Sequence, residues 1–510
     1  MNCRSRPHYS RLRRLWLTPP GSRPVPYEVL SRAVEVRELL GQLDEAAAVN
    51  DAALAAARAA GDRGKQAERL LRSSSIAIDR GDSADARGLA ETALSLSRQQ
   101  DDQRGISSAM SNLGLAHQNL GEFEAAADCH RQDLDISERA GDRTGVCVAL
   151  GNLGITALMR DRYDEAESLL ARQRDLARSL GDRRREGIAW ANLGLVYESR
   201  GDHRRAMECN RKLLGVARAI GDQRNAGYAT GNIGTAFYNL GDLAQAAEYA
   251  RQQLEIGERI GDKRLVAMAL NNVGNVHDDL GRYPEALAAY RRQLSIAEAI
   301  GDPVAVSMAL GNAGIVHEHL GQDGEAEACY RRKLAIAAEL GGRYDRLSAS
   351  QKLGALCLRH GGLVEAERLL SDAVALAREI DNGPYLVESL GGLAEVRLAL
   401  GDRAGAAEHS MEAIAEAERT GELDRMAPCR ILQARIVAVD DPATGMRALA
   451  EIAAEGNSDE VTAEAWYRLY CLSRDEGHRL RAIDACRAAA TAAPQRRVLE
   501  WLEQLGGEQR

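Results

Sequence analysis

The residues of this 510-residue chain best suited to recognition chemistry are six asparagines that recur at a spacing of 40. We call them the amide ladder: Asn112, Asn152, Asn192, Asn232, Asn272 and Asn312. A side-chain amide both donates and accepts hydrogen bonds, so it can pair with a peptide unit whatever side chain that unit carries. Structural elements of the same period must hold these amides in line.

A glycine recurs every 20 residues from Gly41 to Gly421, and this series predicts where helices end. Of its 20 positions, 17 are Gly and the others are Asp101, Asp161 and Asp381. A helix commonly ends in one left-handed residue, a conformation that Gly adopts freely and Asp tolerates. In ten places an Asp follows the Gly, and we expect it to cap the next helix. The series predicts an all-α chain of helices of roughly 14 to 17 residues joined by tight turns.

Two kinds of helix alternate, so the complete repeat has 40 residues. The second kind carries an Ala five residues after its opening Gly or Asp, at Ala46, Ala86, Ala126, Ala166, Ala206, Ala246, Ala286, Ala326, Ala366 and Ala406. The first kind carries Asn-Leu-Gly or a variant of it at each ladder position, as at Asn112-Leu113-Gly114. A Gly inside a helix costs about 1 kcal/mol relative to Ala. We therefore expect the paired helices to approach closely there, with the small Ala opposite the Gly.

The spacing of Leu113, Gly114, Gly121 and Ala126 resembles the tetratricopeptide repeat, in a long form of about 40 residues rather than 34. Within that class, the Asn-Leu-Gly segment resembles Pins/rapsyn-type repeats, kinesin light chains and the arrays of actinobacterial regulators. The resemblance implies a right-handed α-solenoid of about 12 antiparallel helix pairs, wound into a superhelix.

In that family the ladder register lines the concave face, where matching asparagines hold the backbone of an extended peptide. The resemblance thus implies that the amide ladder binds a partner peptide. Helices pack about 8 to 10 Å apart, so successive amides would be separated by about three residues of extended chain. The alternative is that each Asn satisfies a neighbouring turn or bridges to the adjacent repeat.

Mostly apolar residues flank the ladder on the same helix face. Four residues before it are Ser108, Val148, Ile188, Tyr228, Met268 and Met308, and three residues after it are Leu115, Ile155, Leu195, Thr235, Asn275 and Ile315. Family members that hold acidic peptides can place Arg or Lys four residues before the ladder, so we expect no carboxylate clamp. We expect the groove to be lined by Ile188, Tyr228, Met268, Met308, Leu195 and Ile315, and to suit a segment with hydrophobic anchors.

A row of basic residues marks the second helices: Arg131, Arg211, Arg251, Arg291 and Arg331, with Arg172, Lys212, Arg292 and Arg332 beside them. This row could border the groove and hold acidic side chains of a partner. The alternative is a solvated face whose charges pair locally with Asp and Glu.

Variation among the repeats predicts six regions of the chain. They are a basic leader (1–26), helix pairs that lack Asn-Leu-Gly (27–100), the core array with the ladder (101–340), divergent pairs (341–420), a degenerate helix pair (421–458), and a terminal 34-residue-type repeat with a capping helix (459–510). A terminal repeat needs such a cap because its outer face has no neighbour.

The leader holds six Arg and no acidic residue in its first 24 positions. Three interpretations stand: a basic arm that contacts anionic lipid, nucleic acid or the chain's own acidic surface, a disordered leader, and a mistaken start codon. Its apolar run, Leu15-Trp16-Leu17, is too short for a signal peptide.

The rest of the composition argues against several classes of protein. The nine cysteines are scattered without metal-ligand spacing, and no nucleophile–base pair or phosphate loop appears. We therefore expect no catalytic residue, no metal and no cofactor, and hence no enzyme. No apolar run is long enough to span a membrane, and we expect a cytoplasmic protein. The net charge of −9 argues against nucleic acid as a partner.

These observations give a ranked set of functions. The first is a non-enzymatic scaffold for protein–protein interaction that binds a partner peptide or segment in the concave groove. The second is a sensor array that regulates signalling or transcription through a separate effector chain. A nucleic-acid-binding solenoid comes third, and homo-oligomerisation stays open.

Overall fold

A computed structural model describes residues 27–39, 42–455, 458–492 and 496–507. These residues form 25 α-helices and contain no strand, which confirms the all-α class. The basic leader and Gly41 lie outside the described residues. None of the 25 helices is long and apolar enough to cross a membrane.

The chain divides into two compact units, residues 1–249 and 250–510. Unit 1 contains α1 (Tyr27–Leu39), α2 (Leu43–Ala59), α3 (Arg63–Asp79), α4 (Ser83–Arg98), α5 (Gln103–Asn119), α6 (Phe123–Arg139), α7 (Arg143–Leu158), α8 (Tyr163–Ser179), α9 (Arg183–Ser199), α10 (His203–Ala219) and α11 (Gln223–Asn239). The boundary falls within α12 (Leu243–Ile260).

Unit 2 continues with α13 (Lys263–Asp279), α14 (Tyr283–Ile300), α15 (Pro303–His319), α16 (Asp323–Leu340), α17 (Arg343–Arg359), α18 (Leu363–Glu379), α19 (Gly383–Ala399), α20 (Arg403–Thr420), α21 (Leu423–Asp440), α22 (Pro442–Ala454), α23 (Asp459–Ser473), α24 (Glu476–Ala492) and α25 (Arg496–Gly507). The stretch expected to be degenerate thus holds a helix pair, α21 and α22, and Pro428 lies inside α21.

Within each unit the helices pack against the next one in the chain, from α1 to α11 in unit 1 and from α13 to α25 in unit 2. The first helices of successive pairs also touch: α5 contacts α3 and α7 in unit 1, and α13 contacts α15 in unit 2. Such nearest-neighbour packing is the organisation of a helical repeat solenoid, in which each repeat buries its apolar faces against the adjacent one.

The residues of the 20-residue series adopt the predicted left-handed conformation. All 19 that the structure describes have positive φ, from 51° at Asp381 to 83° at Gly401. A Cβ added at Gly221 would have no atom within 4 Å, so its backbone conformation alone demands glycine there. The series therefore marks helix ends, as predicted.

The aspartates after these glycines cap the following helix at nine of the ten predicted places. Asp182, for example, accepts a hydrogen bond from the backbone N–H of Arg185 at 2.9 Å. The nine are Asp62, Asp142, Asp182, Asp202, Asp222, Asp242, Asp262, Asp302 and Asp402. The prediction is wrong at Asp82, whose side chain makes no capping bond.

The expectation that a small Ala lies opposite each helical Gly is also wrong. A Cβ added at Gly154 would lie 2.7 Å from Leu170, which comes four residues after the repeat's Ala166. The same relation joins Gly354 to Leu370 at 2.8 Å. The repeat alanines are themselves fully or almost fully buried. At Gly154 and Gly354 the glycine therefore faces the second helix one turn beyond the repeat alanine, and it makes room there for a large side chain.

The last helix covers the end of unit 2. Val498, Trp501 and Leu505 of α25 are buried together with Ala463 of α23 and Ala482 of α24. Tyr467 of α23 also stacks on Trp501, with ring centroids 5.1 Å apart. The apolar face of the last helix pair is thereby removed from solvent.

Candidate functional site

The amide ladder occupies one register of the first helices. Four of its members lie in unit 1, on α5, α7, α9 and α11, and two lie in unit 2, on α13 and α15. Every ladder side chain is half-buried. The repeat thus presents each amide at a helix surface rather than in the core.

In unit 1, three ladder amides donate hydrogen bonds to other helices of the array. Asn112 Nδ2 donates to the backbone oxygen of Leu71 on α3 at 3.0 Å, and lies 3.3 Å from Ser75 Oγ. Asn152 Nδ2 lies 3.3 Å from Ser111 Oγ on the preceding first helix. Asn232 Nδ2 lies 3.2 Å from the side-chain oxygen of Asn210.

Both ladder members of unit 2 also bridge to other helices. Asn272 Nδ2 donates to Gln253 Oε1 at 3.0 Å. Asn312 Nδ2 donates to Asn271 Oδ1 at 3.0 Å and to Asn275 Oδ1 at 3.2 Å. The structure therefore contains the bridges between repeats that the sequence analysis offered as the alternative to ligand binding.

These bridges use only the N–H donors of the ladder amides. Within the described part of the chain, the side-chain oxygens of Asn112, Asn152, Asn232, Asn272 and Asn312 accept no hydrogen bond. Asn192 differs from all five, because its amide neither donates to nor accepts from any described residue. Peptide binding by the ladder stays a prediction. Asn192 is the ladder residue whose amide is most available for a bound peptide.

The apolar residues expected to line the groove divide into exposed and half-buried ones. Ile188 and Leu195, one helical turn on either side of Asn192, are 43% and 49% exposed. Met268 and Met308 in unit 2 are 41% and 45% exposed. The remaining two are half-buried: Tyr228 and Ile315.

Most members of the basic row on the second helices form local ion pairs. Arg331 contacts Glu365 at 2.9 Å, which holds the pKa of that carboxyl below its usual range. The other pairs are Arg131–Asp128, Arg172–Glu138, Arg251–Glu255, Arg292–Glu258 and Arg332–Glu298. Local pairing, the second interpretation of this row, is confirmed at these positions.

Two buried titratable groups on α6 were missed by the sequence analysis. His130 is fully buried, and its ring nitrogens have no hydrogen-bond partner in the described part of the chain. Burial lowers its pKa to about 4. Asp133 is buried as well, which raises its pKa, while Ser107 on α5 donates a hydrogen bond to its carboxylate. Most other repeats hold apolar or amide side chains at these two positions, so only a register-by-register comparison could have found them.

Comparison by sequence identifies one family. The tetratricopeptide repeat family matches residues 105–172, 145–219, 226–299 and 305–379. These ranges cover more than half of the chain and include the whole amide ladder. No curated protein matches the chain in sequence.

Solved structures of helical repeat proteins resemble the fold. The apo form of RapI is 14% identical, with a TM-score of 0.51 over 70% of this chain and 98% of its own. The apo quorum sensor NprR from B. thuringiensis is 16% identical, with a TM-score of 0.47 over 68% of this chain and 98% of its own. A signal transduction ATPase with a tetratricopeptide repeat sensor, from Pyrococcus horikoshii, is 14% identical, with a TM-score of 0.48 over 73% of this chain and 55% of its own.

At 14% identity the likeness to RapI supports the fold alone. The family is shown by the sequence match, which covers more than half of the chain. This chain belongs to the tetratricopeptide repeat family.

Proposed function

We propose that this protein is a non-enzymatic interaction scaffold that binds an extended peptide segment of a partner along the ladder face. Tetratricopeptide repeats are typically non-catalytic, and stacked helical repeats create extended surfaces suited to binding other proteins. The alternative of a sensor array acting on a separate effector chain stays a prediction, and such a sensor would need the same binding surface.

The unpaired side-chain amide of Asn192 is the observation on which this proposal depends. Its half-buried amide has no hydrogen-bond partner among the residues that the structure describes, although a polar group in such a position gains from a hydrogen bond. A peptide unit matches this amide because it supplies one donor and one acceptor. The same amide would not select among side chains, so Asn192 would hold the backbone of the bound segment.

The residues around Asn192 favour apolar anchors in the bound segment. Ile188 and Leu195 lie four residues before and three after it, which places all three side chains on one face of α9. Residues 188–195 contain no charged side chain. Burial of two such aliphatic side chains contributes about 1 to 3 kcal/mol each when complete, so apolar contacts would supply affinity and the amide would fix register.

Peptide selection on the full-length chain tests this proposal. We expect the selected peptides to be extended and to carry apolar anchors, and we expect Asn192→Ala to weaken their binding about tenfold, the loss of one hydrogen bond to a desolvated partner. Fluorescence anisotropy measures the affinity, and thermal melting checks the fold.

Asn119→Ala is the matched control, because Asn119 is an exposed asparagine of α5 outside the ladder register. It should leave both affinity and melting unchanged. Equal affinity of wild type and Asn192→Ala for the selected peptides, or a parallel fall in melting temperature, would count against the proposal.

A further inference from the structure

The outer face of α10, in unit 1, carries positive charge that the fold does not neutralise. Arg204, Arg211 and Arg218 recur every seven residues, so they lie on one side of the helix at intervals of about 10.5 Å. Lys212 lies next to Arg211. All four side chains are exposed, and none has an ion pair or hydrogen bond within the described residues. We call these four residues the α10 basic face.

In other repeats, an ion pair neutralises the cation at the position equivalent to Lys212. At three equivalent positions an arginine pairs with a glutamate 34 residues earlier: Arg172–Glu138 at 3.4 Å, Arg292–Glu258 at 2.6 Å and Arg332–Glu298 at 2.5 Å. The residue 34 positions before Lys212 is Arg178, which contacts Glu186 instead at 2.9 Å. The position that holds a neutralising glutamate in those three repeats therefore holds a second cation, Arg178, in the repeat that contains Lys212.

The local sequence has a charge opposite to that of the whole chain. Residues 183–224 contain ten Lys or Arg against five Asp or Glu, whereas the whole chain has 66 against 75. A concentration of unpaired cations on an acidic protein creates a local positive field that attracts anionic groups. One acidic side chain, Glu208, accompanies the basic face on the exposed side of α10.

The α10 basic face also has room for close approach. Gly215 lies between Arg211 and Arg218 on the exposed side of the helix, and a Cβ placed on it would meet no atom within 4 Å. A partner element could therefore lie against the helix backbone at this point, with cations on both sides of the contact.

We propose that the α10 basic face docks an acidic α-helix of a partner protein, at a surface separate from the ladder on the first helices. A helix with Glu or Asp every seven residues repeats its carboxylates at the same interval of about 10.5 Å. Two helices side by side can therefore pair all three arginines at once, as flanking charges do between the strands of coiled coils.

Nucleic acid fits this face less well than an acidic helix. Single strands are held by aromatic side chains on which bases stack, and the exposed side of α10 from Arg204 to Arg218 has none. Duplex DNA presents a phosphate charge about every 1.7 Å along its axis, so it has no periodicity that matches the arginines.

Fluorescence anisotropy with a labelled peptide and the full-length chain tests the proposal. The probe is a helix-forming peptide of three heptads with Glu at every seventh position. Its control has the same composition, with the glutamates distributed around the helix. We expect the first peptide to bind more tightly, and Arg211→Gln with Lys212→Gln to weaken it by about tenfold, with a strong dependence on salt.

The double variant Arg331→Gln with Arg332→Gln is the matched control. These residues lie in the same register on α16, where both already have ion pairs with glutamates. Binding of the probe should change less than about twofold in this variant. Circular dichroism confirms that both variants keep their helices.

Three results would overturn the proposal. They are equal binding of the two peptides, an equal effect of the two double variants, and tighter binding of a single-stranded or duplex oligonucleotide that is lost with Arg211→Gln and Lys212→Gln. The last result would reassign the same face to nucleic acid. Because Asn192 lies on another helix, none of these results bears on peptide binding by the ladder.

Discussion

The imidazole of His130 lies against Gly114, in the space that a Cβ at that glycine would occupy. In other repeats a leucine or tyrosine fills this position over the equivalent glycine, as Leu170 does over Gly154 and Tyr330 over Gly314. The helical glycine is thus a socket for one large side chain of the second helix. Its occupant changes from repeat to repeat, and the stability of each pair depends on what fills it.

Alanine at a filled socket should destabilise its helix pair. In Gly154→Ala the new Cβ would lie 2.7 Å from Leu170, which is fully buried and cannot move into solvent. Overpacking costs about 1 to 3 kcal/mol, and the higher helix propensity of alanine returns about 1 kcal/mol. Amide hydrogen exchange should show reduced protection in α7 and α8.

Gly194→Ala is the control for this prediction. Its nearest atom is the side-chain nitrogen of Asn210 at 3.1 Å, and a small movement of that amide relieves the contact. We expect unchanged or slightly increased protection of α9 and α10. Similar losses in the two variants would show that helix propensity, rather than the socket, governs these glycines.

The contribution of His130 to the stability of the α5–α6 pair should become unfavourable as the pH falls below 6.5. Burial lowers the pKa of His130 from 6.5 to about 4. Above pH 6.5 the ring is neutral whether folded or unfolded, so it has no effect on stability there. Between pH 6.5 and 4 the unfolded chain takes up a proton that the folded chain does not, which favours unfolding by up to about 3 kcal/mol.

His130→Leu measures this contribution, because leucine fills the equivalent socket at Leu170. The stability gained by the variant should increase between pH 7 and pH 4, as followed by hydrogen exchange of α5 and α6. Asp133 is present in both proteins, so its own titration cancels in the comparison. A gain that is constant over this range would contradict a neutral, buried His130.

Alanine at a turn glycine should destabilise through the backbone alone. Gly221 has φ of 72° and open space around its Cβ position, so Gly221→Ala places an L side chain in the left-handed region without a steric clash. The cost is about 1 to 2 kcal/mol. Gly221→Asn should cost less, because asparagine tolerates this conformation. Thermal melting compares them, and equal melting temperatures for the two variants would contradict this explanation.

The ladder asparagines should differ in what they contribute to folding. Asn312→Ala removes hydrogen bonds to Asn271 and Asn275 and leaves the side-chain oxygen of Asn271 unpaired, at a cost of about 1 kcal/mol. Asn192→Ala removes no hydrogen bond to any described residue and should leave the melting temperature unchanged. Equal effects of the two substitutions on melting would show that the difference in their contacts has no energetic meaning.

The backbone of this protein was more predictable from its sequence than its side-chain contacts. The left-handed turn at Gly221 follows from residue type alone, because few residues other than glycine adopt positive φ. The partner of Gly154 depends instead on where two helices cross, and a shift of one turn exchanges Ala166 for Leu170. Likewise, the acceptors of Asn112 and Asn312 lie 37 to 41 residues earlier and differ in type, so no local pattern indicated them.

The turn geometry that the repeats share determines which deletions and insertions the chain can accommodate. Each turn from Gly121 to Gly201 has one left-handed residue, Gly or Asp, at the same interval, so removing 141–180 would join α6 to α9 through a turn of unchanged form. A helix of the kind that α6 already contacts would then follow it. Whole forty-residue units can thus be lost or duplicated with little disturbance at the junction. A residue inserted within a helix would instead rotate the rest of that helix by about 100° and turn its buried face away from its neighbours.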